Sequence, residues 1–316
     1  MAISTPPMWR RSEPGELIPL TGKPEPMDYS LTSSDLVVGV KTLGAELCSI
    51  KGVNNGVEYI WQANPADWGR HAPILFPIVG KLKGDSYEYK GKTYHLPQHG
   101  FARDQPFSLI ESTTSKLVFE LTSNDKLKLV YPFGFSLLVT YELSGNSLQI
   151  SYSVKNPGTD PLLYSVGAHP AFRIPIHPEA KRSDYEILFE KEESVVVHLI
   201  DGGLLSGKTE QLSLKQNRLV ISDSIFNKDA LVFKGLASKK LSLAKAGKAP
   251  FLNFYFDAPY FGIWSKSGTS EFVCLEPWNG IADSVNHNQL LVKKEGIRRL
   301  NGGASETFNF SVEIMG

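Results

Sequence analysis

Cysteine is nearly missing from this sequence. Cys48 and Cys274 are the only two among 316 residues. They are too few for a disulfide framework and do not form a C-x-x-C pair, so a reducing, cytoplasmic setting is expected. Long apolar runs are missing as well, and nothing approaches the roughly 18 to 20 residues of a membrane span. The first residues carry basic side chains with no apolar stretch behind them, unlike a secretory signal. Net charge is also absent, since 33 basic and 33 acidic side chains cancel. That balance removes the electrostatic reason for bulk binding to nucleic acid or to an anionic membrane, while leaving room for a local cationic pocket. There is no G-x-S-x-G elbow, no phosphate-binding P-loop, and no dinucleotide fingerprint after a strand.

What is present is alternation. "KLVFELTSN", "FSLLVTYELSGNSLQISYSVKN" and "YEILFEKEESVVVHLI" have the period-two pattern and the β-branched and aromatic content of strands. "SGNS" at 144–147 lies between two such runs and predicts a hairpin turn. Amphipathic patterns longer than about ten residues are scarce. "SVNHNQLLVKKEG", 284–296, is the best short-helix candidate, with Gly296 as its stop. Many closely spaced strands with few helices predict an all-β fold, a large antiparallel β-sandwich or barrel. One β domain over 29–316 is expected, preceded by an extended, proline-rich arm over 1–28.

Three polar islands interrupt the apolar background: "WGRHAPILFPIVGKL" (68–82) with "LPQHGFARDQPF" (96–107), "YSVGAHPAFRIPI" (164–176), and "FVCLEPWNGIADS" (272–284). Pro97 and Pro106 make 96–107 a loop that presents side chains, because proline cannot donate to a sheet ladder. Glu276 ends a hydrophobic run. A carboxylate there is either paired with an arginine or pushed by burial toward a neutral-range proton affinity, where it becomes a useful base. His169 and His99 carry the same double reading, hydrogen-bonded structural residue or proton carrier. Arg70 and Arg103 are either salt-bridge partners or clamps on a polar ligand. The tryptophans at 61, 68, 264 and 278 can fill a core or offer flat faces to a sugar ring. His95 and His99 stand four apart, but Pro97 removes the helix that would align them, so no metal site is expected.

"HGFARD", "GAHPAF" and "LEPWNGIADS", in that order and spacing, resemble the aldose 1-epimerase (galactose mutarotase-like) family. "LGAELCSIK", "EYIWQANPADWGRHAPILFPIVGKL" and "YPFGFSLLVTYEL" extend the resemblance from about residue 29 to the C-terminus. It implies a large antiparallel β-sandwich that interconverts the α and β anomers of a hexose, or of a hexose 6-phosphate, without metal or organic cofactor. By motif, Glu276 matches the general base, His169 the general acid, His99 the histidine near the ring oxygen, and Arg70 an arginine that binds hydroxyls. Galactose-specific members also use an aspartate between the second histidine and the glutamate, for which Asp257 is the candidate by order. Arg103 resembles a position near the phosphate in the hexose-6-phosphate branch, and Lys81 and Lys83 could join Arg70 and Arg103 around such a group. Trp278 and Phe101 are candidates for an aromatic floor under the sugar. Asp283 looks like a support for the loop after Trp278. A non-catalytic carbohydrate-binding or sugar-sensing protein would use the same floor and arginines without titration of Glu276.

Overall fold

In Ser136–Ser144 and Ser147–Lys155, buried and half-exposed side chains alternate strictly. The two strands pair through a turn at Gly145 and Asn146, where Gly145 takes a positive φ of 55°. The "SGNS" hairpin is thus present, and its two strands lie in the interior of a nine-stranded sheet. The computed structural model describes residues 28–315, apart from 267 and 269. The arm expected over 1–28 lies, but for Asp28, outside the described residues.

Nine strands, running in space from Arg218–Val220 to Ser108–Ser112, form one sheet, and eight, from Leu204–Leu212 to Ile74–Leu75, form another. Pairing is antiparallel within both. Rings meet between them: Phe254 of the first lies 6.1 Å from Phe261 of the second, and Phe189 lies 6.4 Å from Phe233. Buried apolar side chains from Leu31 to Ile314 make one contiguous cluster in and around this interface. The expected all-β antiparallel architecture with few short helices is what the chain adopts.

Phe272–Asn279 is buried along its whole length and runs through the middle of the eight-stranded sheet. Tyr260–Trp264 pairs with it on one side, and Val166–Ala168 and Ala171–Arg173 share its other side. Proline is normally kept out of a central strand because it cannot donate. Here Pro277 on one strand and Pro170 on its neighbour both lack that donor, and the ladder opens between Ala168 and Ala171. Leu275 N–H still reaches the Pro170 carbonyl at 3.2 Å. His169 sits in this opening. Side chains alternate faces along the strand. Val273 and Leu275 join the main core, while Cys274, Glu276 and Trp278 point to the outer face of the sheet. Trp61 and Trp68 pack with Cys274 on that face, and the loop 96–105 flanks the edge strand Ile74–Leu75. Trp61 N–H donates to the Ala171 carbonyl at 2.9 Å and Phe101 N–H to the Phe76 carbonyl at 3.0 Å.

The helix expected over 284–296 is not formed. Only Leu291–Lys293 makes a single 3-10 turn. Gln289 takes φ 65° and donates its side-chain amide to the Lys83 carbonyl at 2.9 Å and to Ser86 Oγ at 2.7 Å. Tertiary hydrogen bonds have won over local propensity.

Candidate active site

His169 and Glu276 are brought together by sheet register. Gly167 pairs with Trp278 and Ala171 with Cys274, so continuing the count across the gap sets His169 directly opposite Glu276 on the same face. His169 Nε2 lies 3.3 Å from Glu276 Oε2, with only 10% and 2% of the two side chains exposed. Burial pushes the Glu276 carboxyl well above its usual range; the Trp278 side chain pulls back and the charge of Asp229 pushes further. Burial likewise depresses His169 to about 3, its own backbone opposing this and Arg103 and Arg70 adding to it. Both shifts point the same way. Burial therefore drives the contact toward a carboxylic acid beside a neutral imidazole, a pair sharing one proton, and away from a salt bridge. The protonated resting histidine that a simple acid role requires is not what this burial favours. Nδ1 of His169 and Nε1 of Trp278 are buried without hydrogen-bond partners.

His99 reaches the same place from the loop 96–105. Its ring lies edge-on to that of His169, with centroids 5.6 Å apart. His99 N–H donates to the Gly80 carbonyl at 2.9 Å, and Gly80 N–H donates back to His99 Nδ1 at 3.2 Å. That second bond puts the proton of the neutral ring on Nε2. Burial first, then His169, Arg103 and Arg70, hold the ring well below the ordinary histidine range. The loop needs left-handed backbone here, φ 68° at His99 and 71° at Gly100. A Cβ on Gly100 would stand 2.3 Å from the Phe76 carbonyl oxygen, so only glycine permits the approach.

Arg70 and Arg103 stand at the mouth of the site with 31% and 18% of their side chains exposed. Asp104 lies between them, accepting from Arg70 Nη2 at 2.8 Å and sitting 3.8 Å from Arg103 Nε. Arg103 also donates to the Gln98 carbonyl at 2.7 Å. Lys81 reaches the Gly202 carbonyl at 3.3 Å. Lys83 is fixed through its backbone N–H to Asp283 at 3.0 Å.

The aromatic surface beside the pair is not the one expected. Phe101 is buried in the main core against Phe76, Tyr131 and Phe135, because its backbone is anchored under Phe76, and it forms no floor. Trp68 instead stacks on His169 at 4.9 Å and 25°, and Trp264 meets the imidazole edge-on at 5.7 Å. Trp61 is core, its indole N–H donating to the Trp68 carbonyl at 2.8 Å. Trp278 lies over glycines of both neighbouring strands: a Cβ on Gly262 would be 2.5 Å from its ring, and one on Gly167 would be 2.8 Å away.

Asp257 is not part of this arrangement. It is 89% exposed, pairs with Lys239 at 2.8 Å, and lines a separate surface groove of about 470 Å³ with Pro259 and Phe308. The aspartate whose charge does reach Glu276 is Asp229. It lies between His169 and Glu276 in chain order, with a left-handed φ of 79°, just before the strand Leu231–Lys234. No local motif marked it. His95 is exposed on Lys92–His95, apart from buried His99. Among the described residues one group has donors placed for a metal: His169, Cys274 and Glu276 present ligand atoms all within 4.8 Å of one another. Cys274 follows from the sequence once Glu276 is placed in a strand, since residues two apart share a face.

The sequence model of the aldose 1-epimerase family matches residues 27–291. The chain belongs to the aldose 1-epimerase family. It is 34% identical over 285 residues to the chromosomal protein LacX of Lactococcus lactis subsp. lactis, an alignment covering 87% of this chain and 95% of that protein. The crystal structure of a galactose mutarotase related enzyme from Lactobacillus acidophilus superposes with a TM-score of 0.88 at 36% identity, covering 92% of this chain and 98% of that one. A galactose mutarotase-like protein from Lactobacillus casei gives 0.84 at 29% identity, over 90% and 99%. Family membership supports a mutarotase that binds a sugar. No helix among the described residues is long and apolar enough to cross a membrane.

Proposed function

We propose that the protein catalyses mutarotation of a free hexose, with Glu276 and His169 as a proton-exchanging pair. The observation that carries this reading is the buried 3.3 Å contact between His169 Nε2 and Glu276 Oε2. Opening a pyranose breaks the C1–O5 bond and leaves an aldehyde at C1. One proton leaves O1 and another reaches O5. Both oxygens are carried by the same carbon, so the two proton carriers must stand side by side, as cross-strand neighbours do. The pair takes one proton and gives one, and closure on the other face of the aldehyde reverses the exchange. The proton count closes within the pair, and no cofactor is required by the chemistry.

The family resemblance gives Glu276 the O1 proton and His169 the ring oxygen. Those roles need a carboxylate and an imidazolium. Burial favours the same single proton on the glutamate side, and transfer across the contact converts one form into the other. Sugar hydroxyls replace the solvation that burial removed, and so favour the charged form on binding. His99 Nε2–H and Arg70 supply donors for the remaining hydroxyls. Trp68 offers its face to the C–H side of the ring.

An unphosphorylated hexose is favoured over a hexose 6-phosphate because Asp104 already sits between Arg70 and Arg103, and an added phosphate would meet that carboxylate. A cytoplasmic setting belongs to the same reading, supported by two buried, unpaired thiols. Polarimetry with α-glucose and α-galactose, with glucose 6-phosphate as competitor, tests the proposal. Acceleration over buffer is expected, and sugar binding without any rate enhancement would refute it in favour of a sugar-sensing protein.

A further inference from the structure

We infer that His169, Cys274 and Glu276 together bind a thiophilic divalent cation such as Zn²⁺, and that the bound ion excludes the sugar. The inhibitory half rests on the mutarotase reading above; the binding half stands on geometry alone. Cys274 and Glu276 are two apart on one strand and share its outer face, and His169 comes from the neighbouring strand opposite Glu276. Their donor atoms lie within 4.8 Å of one another. A tetrahedral ion with bonds of roughly 2.0 to 2.3 Å holds its ligands about 3.5 Å apart. The imidazole–carboxylate edge already has this width at 3.3 Å, so only the thiol edges must contract.

The donor set selects the ion. One sulfur, one imidazole nitrogen and one carboxylate oxygen match Zn²⁺ or Cd²⁺, whereas Mg²⁺ and Ca²⁺ want oxygen alone. Coordinated as thiolate, carboxylate and neutral imidazole, the three ligands carry two negative charges and cancel the dication inside an apolar pocket. Two protons leave as the ion arrives. Among the described residues neither Cys274 nor Glu276 is held by a lysine or arginine that the ion would have to displace, His169 being the acid's ion-pair-distance neighbour. Small Ala171 stands opposite Cys274. Three protein ligands leave a fourth position, and the sugar-side opening supplies it. The ion occupies both proton carriers, so ion and hexose compete.

Titration of the purified protein with Co²⁺ tests this without any assay of activity. A thiolate-to-cobalt charge-transfer band in the near ultraviolet is expected for the parent protein and for Cys48→Ala, and is expected to vanish in Cys274→Ala and Cys274→Ser. Excess Zn²⁺ should bleach the band, and hexose should weaken Co²⁺ binding. In polarimetry Zn²⁺ should inhibit the parent by at least tenfold and spare the Cys274 variants, each compared with its own metal-free rate. No band in the parent, or a band that survives loss of Cys274, overturns the site. A Cys274-dependent band in a protein with no mutarotase activity leaves the site standing and removes the proposed function. Mutarotation that Zn²⁺ at band-saturating concentration does not slow overturns the inhibition alone.

Discussion

Two buried acids in the stretch "LEPWNGIADS" have opposite surroundings. Asp283 is fully enclosed, with Lys294 Nζ at 3.0 Å, the Lys83 backbone N–H at 3.0 Å and His287 Nδ1 at 3.1 Å. Lys294 is itself buried and also donates to the Ile281 carbonyl at 2.6 Å. Glu276 is as deeply buried, yet the group at ion-pair distance from it is an imidazole that burial keeps neutral. An acid whose lone pairs are all satisfied holds a loop in place. An acid left without a cation keeps a proton it can give away. Burial alone would rank the two equally; the partners distinguish structure from chemistry.

Replacing each acid should separate these roles. Glu276→Gln is expected to lower the mutarotation rate by about 10²- to 10⁴-fold, the range of a positioned proton transfer, and His169→Asn similarly. Neither should cost much stability, because no buried lysine or arginine loses its counter-ion. Polarimetry beside urea unfolding checks both, and a Glu276→Gln enzyme with full activity removes the proposed pair. Asp283→Asn should do the reverse. It leaves the Lys294 ammonium buried without a counter-charge, which costs about 3 to 5 kcal/mol, while the rate per folded molecule stays within about tenfold, or 1.4 kcal/mol. A stable Asp283→Asn protein would show that Lys294 is not held as an ion.

The contrast also explains what could be read from the sequence. Strand alternation in Ser136–Lys155 is local, and it predicts sheet, hairpin and fold class correctly. The islands around His99, His169 and Glu276 stood out because polar residues broke apolar runs, and the fold does bring all three together. Phe101 failed as a floor because its neighbours Phe76, Tyr131 and Phe135 come from elsewhere in the chain. The helix over 284–296 failed because Gln289 bonds to Lys83 and Ser86. Trp68 was one of four tryptophans with a possible flat face, but its stacking on His169 and the charge of Asp229 on Glu276 depend on segments far apart in sequence, so neither was legible. The upward push on Glu276 was legible from its apolar run, whereas the depression of His169 was not, since it depends on how deeply the assembled fold buries the ring.

Stability against pH sharpens the comparison further. Glu276 binds its proton more tightly folded than unfolded, from a usual value of 4.5. Its contribution is therefore complete below that value and is lost as pH rises through the raised folded value, at up to about 1.4 kcal/mol per pH unit. His169, depressed from 6.5 to about 3, contributes stability above 6.5 that is lost as pH falls toward 3. Thermal unfolding from pH 5 upward should show the parent losing stability relative to Glu276→Gln, a difference absent at lower pH. Parallel curves would mean that Glu276 is ionised at rest. The mutarotation rate should likewise fall on the alkaline side, where the shared proton is gone.

The smallest expected effect distinguishes the two aspartates. Asp257 is an exposed half of an ion pair with Lys239, a type of contact that contributes little. Asp257→Ala should leave both the rate and the midpoint of unfolding almost unchanged, within the roughly 0.5 kcal/mol of an ordinary surface substitution. Asp229 acts on the Glu276 carboxyl through its charge. Asp229→Asn should therefore lower kcat/KM by about tenfold, which corresponds to 1.4 kcal/mol. It should also move the alkaline limb of the pH–rate profile downward in pH, since removing a negative neighbour lets Glu276 ionise more easily. That displacement matters more than the rate. A purely structural aspartate could slow the enzyme, but it would not shift the titration of a carboxyl on another strand.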